Sequence, residues 1–168
     1  MKKIPLSLLV LGTAGLLAAC GGSDSGDPAP TPRGASVVVS GATDTSLNGT
    51  YSATTVSLND VEKFNPIGGE PETCRFRFSG LQQVGSTRLM DGDIRYIPGT
   101  TETRTTFVSI NGNEFRLQGT TGAVVDKGSN EIDYNGAVLT STLDVVGAKP
   151  TIVLTGSIPM RTGRPEGC

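Results

Sequence analysis

Thr106-Phe107-Val108-Ser109-Ile110-Asn111-Gly112-Asn113-Glu114-Phe115-Arg116-Leu117 sets a turn signal between two alternating runs. Asn-Gly supplies two residues that tolerate positive φ, as a two-residue hairpin turn requires. Pairing outward from it puts Ile110 against Asn113, Val108 against Phe115 and Thr106 against Leu117. Val108, Ile110, Phe115 and Leu117 then line one face. Phe107 opposite Arg116 and Ser109 opposite Glu114 fall on the other. The turn chemistry and the apolar alternation are independent signals, and here they agree. A slip of one residue would turn the whole apolar set to water. Phe107 and Arg116 are also a candidate cation–π pair, worth about 0.5–1 kcal/mol when exposed.

The same reasoning extends in both directions. Asp91-Gly92 is expected to turn a second hairpin, pairing Met90 with Asp93, Leu89 with Ile94, Arg88 with Arg95 and Thr87 with Tyr96. Leu89, Ile94 and Tyr96 would share its apolar face. Asn135-Gly136 is expected to turn a third, with Ile132 facing Leu139, Tyr134 and Ala137 on the same side, and Glu131 and Asp133 opposite. Asn48-Gly49 is a candidate fourth. Ser36–Ser40, Thr50–Leu58, Cys74–Leu81, Ala123–Asp126 and Thr151–Ile158 read as further strands. In Cys74-Arg75-Phe76-Arg77-Phe78 the cysteine and phenylalanines share one face and the arginines the other. Asn59–Thr73 is the one long interruption. There Asn59 is placed to cap a single helical turn with Glu62 reaching back, before Pro66, Gly68-Gly69 and Pro71 stop it. From Ala35 onward no helical period competes. The expectation is an all-β domain over residues 35–168: one antiparallel meander of about nine or ten strands, closed as a small barrel or folded as a sandwich.

Composition removes whole classes of chemistry. The chain of 168 residues has no histidine, so it lacks the commonest general base at neutral pH and the commonest metal ligand. Ser-His-Asp and Cys-His catalysis are excluded with it. The net charge is −2, which gives no electrostatic reason to seek nucleic acid. No pattern calls for a cofactor or a metal. Asp91-Gly92-Asp93 lacks the spaced ligands and closing glutamate of a calcium loop.

The N-terminus is built as an export signal: Lys2 and Lys3, then an apolar stretch from Ile4 to Leu17 that is shorter than the ~20 residues a spanning helix needs. It ends in Leu17-Ala18-Ala19-Cys20, followed by Gly21-Gly22-Ser23-Asp24. This segment resembles the lipobox of bacterial lipoproteins. The resemblance implies cleavage before Cys20, so that residues 1–19 are a signal peptide. It also implies a diacylglyceryl group on the Cys20 thiol and an acyl chain such as palmitate on the new amine. Two or three chains at about 0.8 kcal/mol per buried methylene hold a protein on a membrane. Gly21, where aspartate would favour the inner membrane, implies the outer membrane with the domain facing the periplasm, the inner membrane and the cell surface being the alternatives. Residues 20–34, with Pro28, Pro30 and Pro32 alternating, read as a lipidated flexible linker.

With Cys20 assigned to lipid, Cys74 and Cys168 remain. In an exported chain they are expected to form one intrachain disulfide, two free thiols or an intermolecular bond being the alternatives. A loop of that length stabilises by about 4.7 kcal/mol in the chain-entropy treatment. Arg75, Arg77, Arg88 and Arg95 are the candidate ligand-binding residues, because arginines clustered on a β face grip carboxylate, phosphate or sugar-acid groups. Arg104 and Arg116 also fall on strand positions. The competing reading pairs these arginines on the solvent face with Asp93, Glu102, Glu114 and Asp133. The expected function is a membrane-anchored envelope lipoprotein, not an enzyme, whose domain binds a periplasmic protein or a small ligand. The alternative is a hydrolase of envelope glycans using two carboxylates, with Asp91/Asp93 or Glu131/Asp133 as candidates.

Overall fold

The computed structural model describes residues 34–54, 57–58, 61–161 and 163–168. Residues 1–33, with the lipobox and Cys20, lie outside the described residues, as do Asn59 and Asp60.

The chain forms β1 (Ala35–Ser40), β2 (Gly49–Ala53), β3 (Ser57–Leu58), β4 (Glu62–Phe64), β5 (Thr73–Gln83), β6 (Leu89–Tyr96), β7 (Thr103–Ile110), β8 (Asn113–Gln118), β9 (Ala123–Asp126), β10 (Glu131–Ser141) and β11 (Thr151–Pro159). Every pairing is antiparallel. Eight strands close a ring in the order β1-β2-β5-β6-β7-β8-β10-β11, with β11 returning to β1. The domain is therefore a barrel rather than a sandwich. Closure gives each of the eight ring strands a partner on both sides, and an interior of this girth is filled by side chains. Tyr51, Phe76, Met90, Tyr96, Ile132 and Leu154 are among the fully buried side chains that fill it. The buried apolar side chains described form one cluster, drawn from all eight ring strands.

Two strands carry split partners. Along one edge of β5, β2 pairs Gln82 and Gln83, β3 pairs Phe78 and Ser79, and β4 pairs Thr73 to Arg75. The expected strand Thr50–Leu58 is thus two strands. The expected helical turn at Glu62 is instead β4, because the backbone of β5 at Arg75 offers ladder bonds there. Ile67 and Glu70 exchange backbone hydrogen bonds of 3.2 and 2.9 Å around Gly68-Gly69, so β4 and β5 form an arm ending in a tight turn. On β10, β9 pairs the first half and β8 the second.

Asn111-Gly112 turns its hairpin in the expected register, with φ of 51° and 85°. The other turn signals are corrected. Asp91-Gly92 lies inside β6, which pairs β5 and β7 throughout. Met90 is buried and Leu89 is 46% exposed, the reverse of what a turn there demands. Gly92 faces inward beneath Phe78: a Cβ on it would lie 2.1 Å from the ring. The real turn into β6 is at Gln83–Ser86, where the Ser86 N–H donates to the Gln83 carbonyl. Arg88 stands in that connection, off the strand, and does not face Arg95; it is Arg75 that lies directly opposite Arg95. Asn135-Gly136 is a bulge in β10, Asn135 opposing Thr155 and Ala137 opposing Leu154, with Gly136 as the extra residue. Ile132, Tyr134, Ala137 and Leu139 all face inward as expected, although they sit on one strand. Asn48-Gly49 closes no two-residue turn; a longer connection carrying the 3-10 turn Thr45–Leu47 joins β1 to β2.

Both ends of the barrel are closed. At one, Leu47 packs inward and accepts a 3.0 Å hydrogen bond from the Tyr51 hydroxyl. At the other, Cys168 is disulfide-bonded to Cys74 with Cα atoms 5.7 Å apart, and its carbonyl accepts from the Tyr96 hydroxyl at 2.8 Å. Lys127 and Lys63 donate to the carbonyls of Gly167 and Glu166 at 2.7 and 2.9 Å, so the tail is a stopper.

Candidate anion-binding groove

The side chains that face outward from β5 to β8 carry most of the wall's charge. Backbone register sets them in rows: Glu62, Arg75, Arg95 and Thr105 in one, Arg77, Asp93, Phe107 and Arg116 in the next. A bulge adds to the first row. Arg95 opposes Thr105 while Tyr96 opposes Thr103, so Arg104 is the extra residue on β7. Bulges re-aim side chains, and this one puts Arg104 and Thr105 both toward solvent.

The β4–β5 arm overhangs this patch. Between arm and wall lies a groove of about 460 Å³, lined by Arg75, Arg95, Arg104 and Arg116 on the wall and by Phe64, Ile67 and Glu70 on the arm. Arg75 is held by Asp93, its Nε donating at 2.9 and 3.1 Å and its Nη2 closing a second contact, with Glu62 at 3.9 Å. The hydrogen bonds to Asp93 raise the guanidinium above its ordinary range, and the charges of Asp93 and Glu62 add to that. Arg104 pairs with Glu70 at 2.6 Å. Arg116 lies over the Phe107 ring at 5.3 Å, the expected cation–π contact, and no carboxylate pairs with it among the described residues. Arg95 is exposed, stands opposite another arginine, and likewise has no acid partner among the described residues. Like charges directly opposite on a sheet are unfavourable unless an anion lies between them.

Of the four arginines expected to bind ligand, Arg75 and Arg95 meet in this groove. Arg77 does not line it; it pairs with Glu62 at 2.8 Å and borders a second groove of about 310 Å³. Arg88 is at the other end of the barrel, donating to Gln83 Oε1 and Ser86 Oγ at 3.3 and 3.4 Å. Arg104 and Arg116 were legible only as strand positions, because a bulge and cross-strand register bring them in. The solvent-face pairing is right for Asp93 and otherwise replaced by Glu62 and Glu70.

The carboxylate candidates have other duties. Asp93 is bound to Arg75, and Asp91 Oδ1 accepts the Gly80 N–H at 3.0 Å. Glu131 and Asp133 are joined by Asp126 across the β9–β10 hairpin, their carboxylate oxygens within 4.8 Å of one another. Burial first, then the charges of Glu131 and Asp126, raise the Asp133 carboxyl above its usual range. Asp126 also accepts the Gly128 and Ser129 N–H groups at 2.8 and 2.9 Å, which shapes that turn.

Comparison with protein-family models, with curated proteins and with solved structures finds no match.

Proposed function

We propose that this is a lipid-anchored bacterial envelope protein whose barrel binds a periplasmic ligand or partner on its outer wall and catalyses no reaction. The single observation that carries the binding site is the presence of Arg95 and Arg116, two guanidiniums without acid partners among the described residues, in one groove beneath the β4–β5 arm. Large buried side chains occupy the described interior, and both grooves described lie on the outer wall, which supports the same reading. Leu17-Ala18-Ala19-Cys20 supports the anchor, and Gly21 supports the outer membrane with the domain on its periplasmic face.

Two experiments test the reading. A photo-crosslinking residue at Thr105, which lines the groove beside Arg95, is expected to capture an envelope component in intact cells. Charge reversal at Arg95 and Arg116 is expected to abolish the adduct; an adduct indifferent to both charges refutes the site. Labelled fatty acid is expected to enter the wild type and not Cys20→Ser, and equal labelling refutes the anchor. The glycan-hydrolase alternative draws on the raised Asp133 beside Glu131. Hydrolysis of envelope glycan that disappears in Asp133→Asn would favour it over binding alone.

A further inference from the structure

The groove has two kinds of wall. Arg95, Arg104 and Arg116 offer guanidinium donors, while the arm presents Phe64, 44% exposed, and Ile67, 80% exposed. Neither side chain belongs to the buried core, and both leave apolar surface open on the arm. Their place beside unpaired cations is what an amphiphile with an anionic head would match.

The number of guanidiniums bears on the head group. A carboxylate is satisfied by one bidentate arginine, and Arg75 with Asp93 already shows that arrangement. Arg95 and Arg116 leave two positive charges open. Arg104 makes a third if its partner moves, and its partner is Glu70, which sits at the end of the Gly68-Gly69 turn and is itself 66% exposed. Glu70 thus occupies one cation of the groove with a carboxylate from the protein's own arm. A phosphate monoester carries between one and two charges and several acceptor oxygens, enough to engage three guanidiniums at once.

We propose that the groove binds a phosphate monoester joined to an apolar chain, the phosphate taking Arg95 and Arg116 and displacing Glu70 from Arg104, the chain lying against Phe64 and Ile67. This rests on the outer-wall reading above and adds the ligand class to it. The same chemistry is offered by a soluble alkyl phosphate and by the headgroup of a phosphatidic-acid-like lipid.

The test is calorimetric titration of the purified full-length protein with three probes below their micellar limits. Octyl phosphate has head and chain, inorganic phosphate the head alone, and octyl glucoside the chain alone. Octyl phosphate is expected to bind at least about tenfold more tightly than inorganic phosphate, since the chain covers exposed apolar surface, and octyl glucoside is expected not to bind. Arg95→Gln with Arg116→Gln is expected to weaken octyl phosphate at least about tenfold, as loss of charge-assisted hydrogen bonds does. Ile67→Ser should remove part of the chain's advantage and leave inorganic phosphate unchanged. Glu70→Gln should tighten both phosphates, because it frees Arg104; a merely structural Glu70 would loosen the arm and weaken them. Arg88→Gln, away from the groove, is the control. Vesicles of phosphatidylcholine with phosphatidic acid separate the sources: binding to them assigns the phosphate to a lipid headgroup, and binding of the free ester alone assigns it to a soluble ligand. Equal affinity for octyl phosphate and inorganic phosphate, or octyl phosphate binding untouched in the double arginine variant, overturns the proposal. If octyl phosphate fails to bind while the Thr105 crosslink still depends on Arg95, the ligand class is wrong and the outer-wall site stands. If both fail, both readings fall.

Discussion

Gly92→Ala is the most discriminating single change in the barrel. The backbone of Gly92 lies outside the left-handed region, so alanine meets no torsional penalty there. The penalty is space: the new methyl would sit 2.1 Å from Phe78 Cε1 and 2.5 Å from Cζ, far inside contact distance. Phe78 is 3% exposed and held within the barrel by its neighbours, so the ring must leave its rotamer or push the β5–β6 pair apart. Overpacking of this kind costs about 1–3 kcal/mol. For a domain of this size that is a fall in Tm of about 3–4 °C per kcal/mol, read by circular dichroism or urea titration. The cost is specific to the ring. In a Phe78→Leu background the space is open, and the same Gly92→Ala change should cost less by about 1–2 kcal/mol, a coupling that a double-mutant cycle measures. If Asp91-Gly92 were a hairpin turn, glycine would be needed for its positive φ and the cost would be the same in both backgrounds. Equal cost therefore refutes the account of β6 as one continuous strand.

Reducing agent, or Cys74→Ser with Cys168→Ser, should lower stability by up to about 4.7 kcal/mol and release the tail that Tyr96 and Lys127 hold; an unchanged urea midpoint would count against the bond. Asp133→Asn should raise Tm at pH 7. The folded carboxyl binds its proton more tightly than the unfolded one, so its ionised form opposes folding at any pH above the raised value. The gain should fade as the pH falls and vanish below the ordinary 3.8, where both states are protonated; a gain independent of pH refutes the charge explanation. Tyr134→Phe should hold stability within about 1 kcal/mol or raise it. Its hydroxyl is buried without a hydrogen bond of ordinary geometry, Thr106 being its polar neighbour, and a large loss on chemical denaturation would show that the hydroxyl has a partner.

What the sequence by itself determined is the facing of side chains along an uninterrupted strand; where a turn was wrongly placed, at Asp91-Gly92, the facing of Leu89 and Met90 was reversed. Alternation in a strand is a property of adjacent residues, so Val108, Ile110, Phe115 and Leu117, or Cys74, Phe76 and Phe78 against Arg75 and Arg77, could be assigned without knowing any partner strand. The Asn111-Gly112 turn was legible for the same reason: its signal and the alternating residues on either side of it, Thr106 to Leu117, are close neighbours in the chain. Only the tertiary structure decided what each other glycine was for. A two-residue turn at Asn135-Gly136 and a one-residue bulge at Gly136 place Tyr134 and Ala137 on the same face, so facing cannot separate them; the pairing of β10 with β11 does. Gly92 could be recognised as a gap for Phe78 only once β5 lay beside β6. The groove belongs to this second class. Its arginines come from β5, β6, β7 and β8 and its apolar wall from the β4–β5 arm. Cross-strand register, a bulge at Arg104 and the overhang of that arm bring them together, and each depends on contacts between residues far apart in the chain.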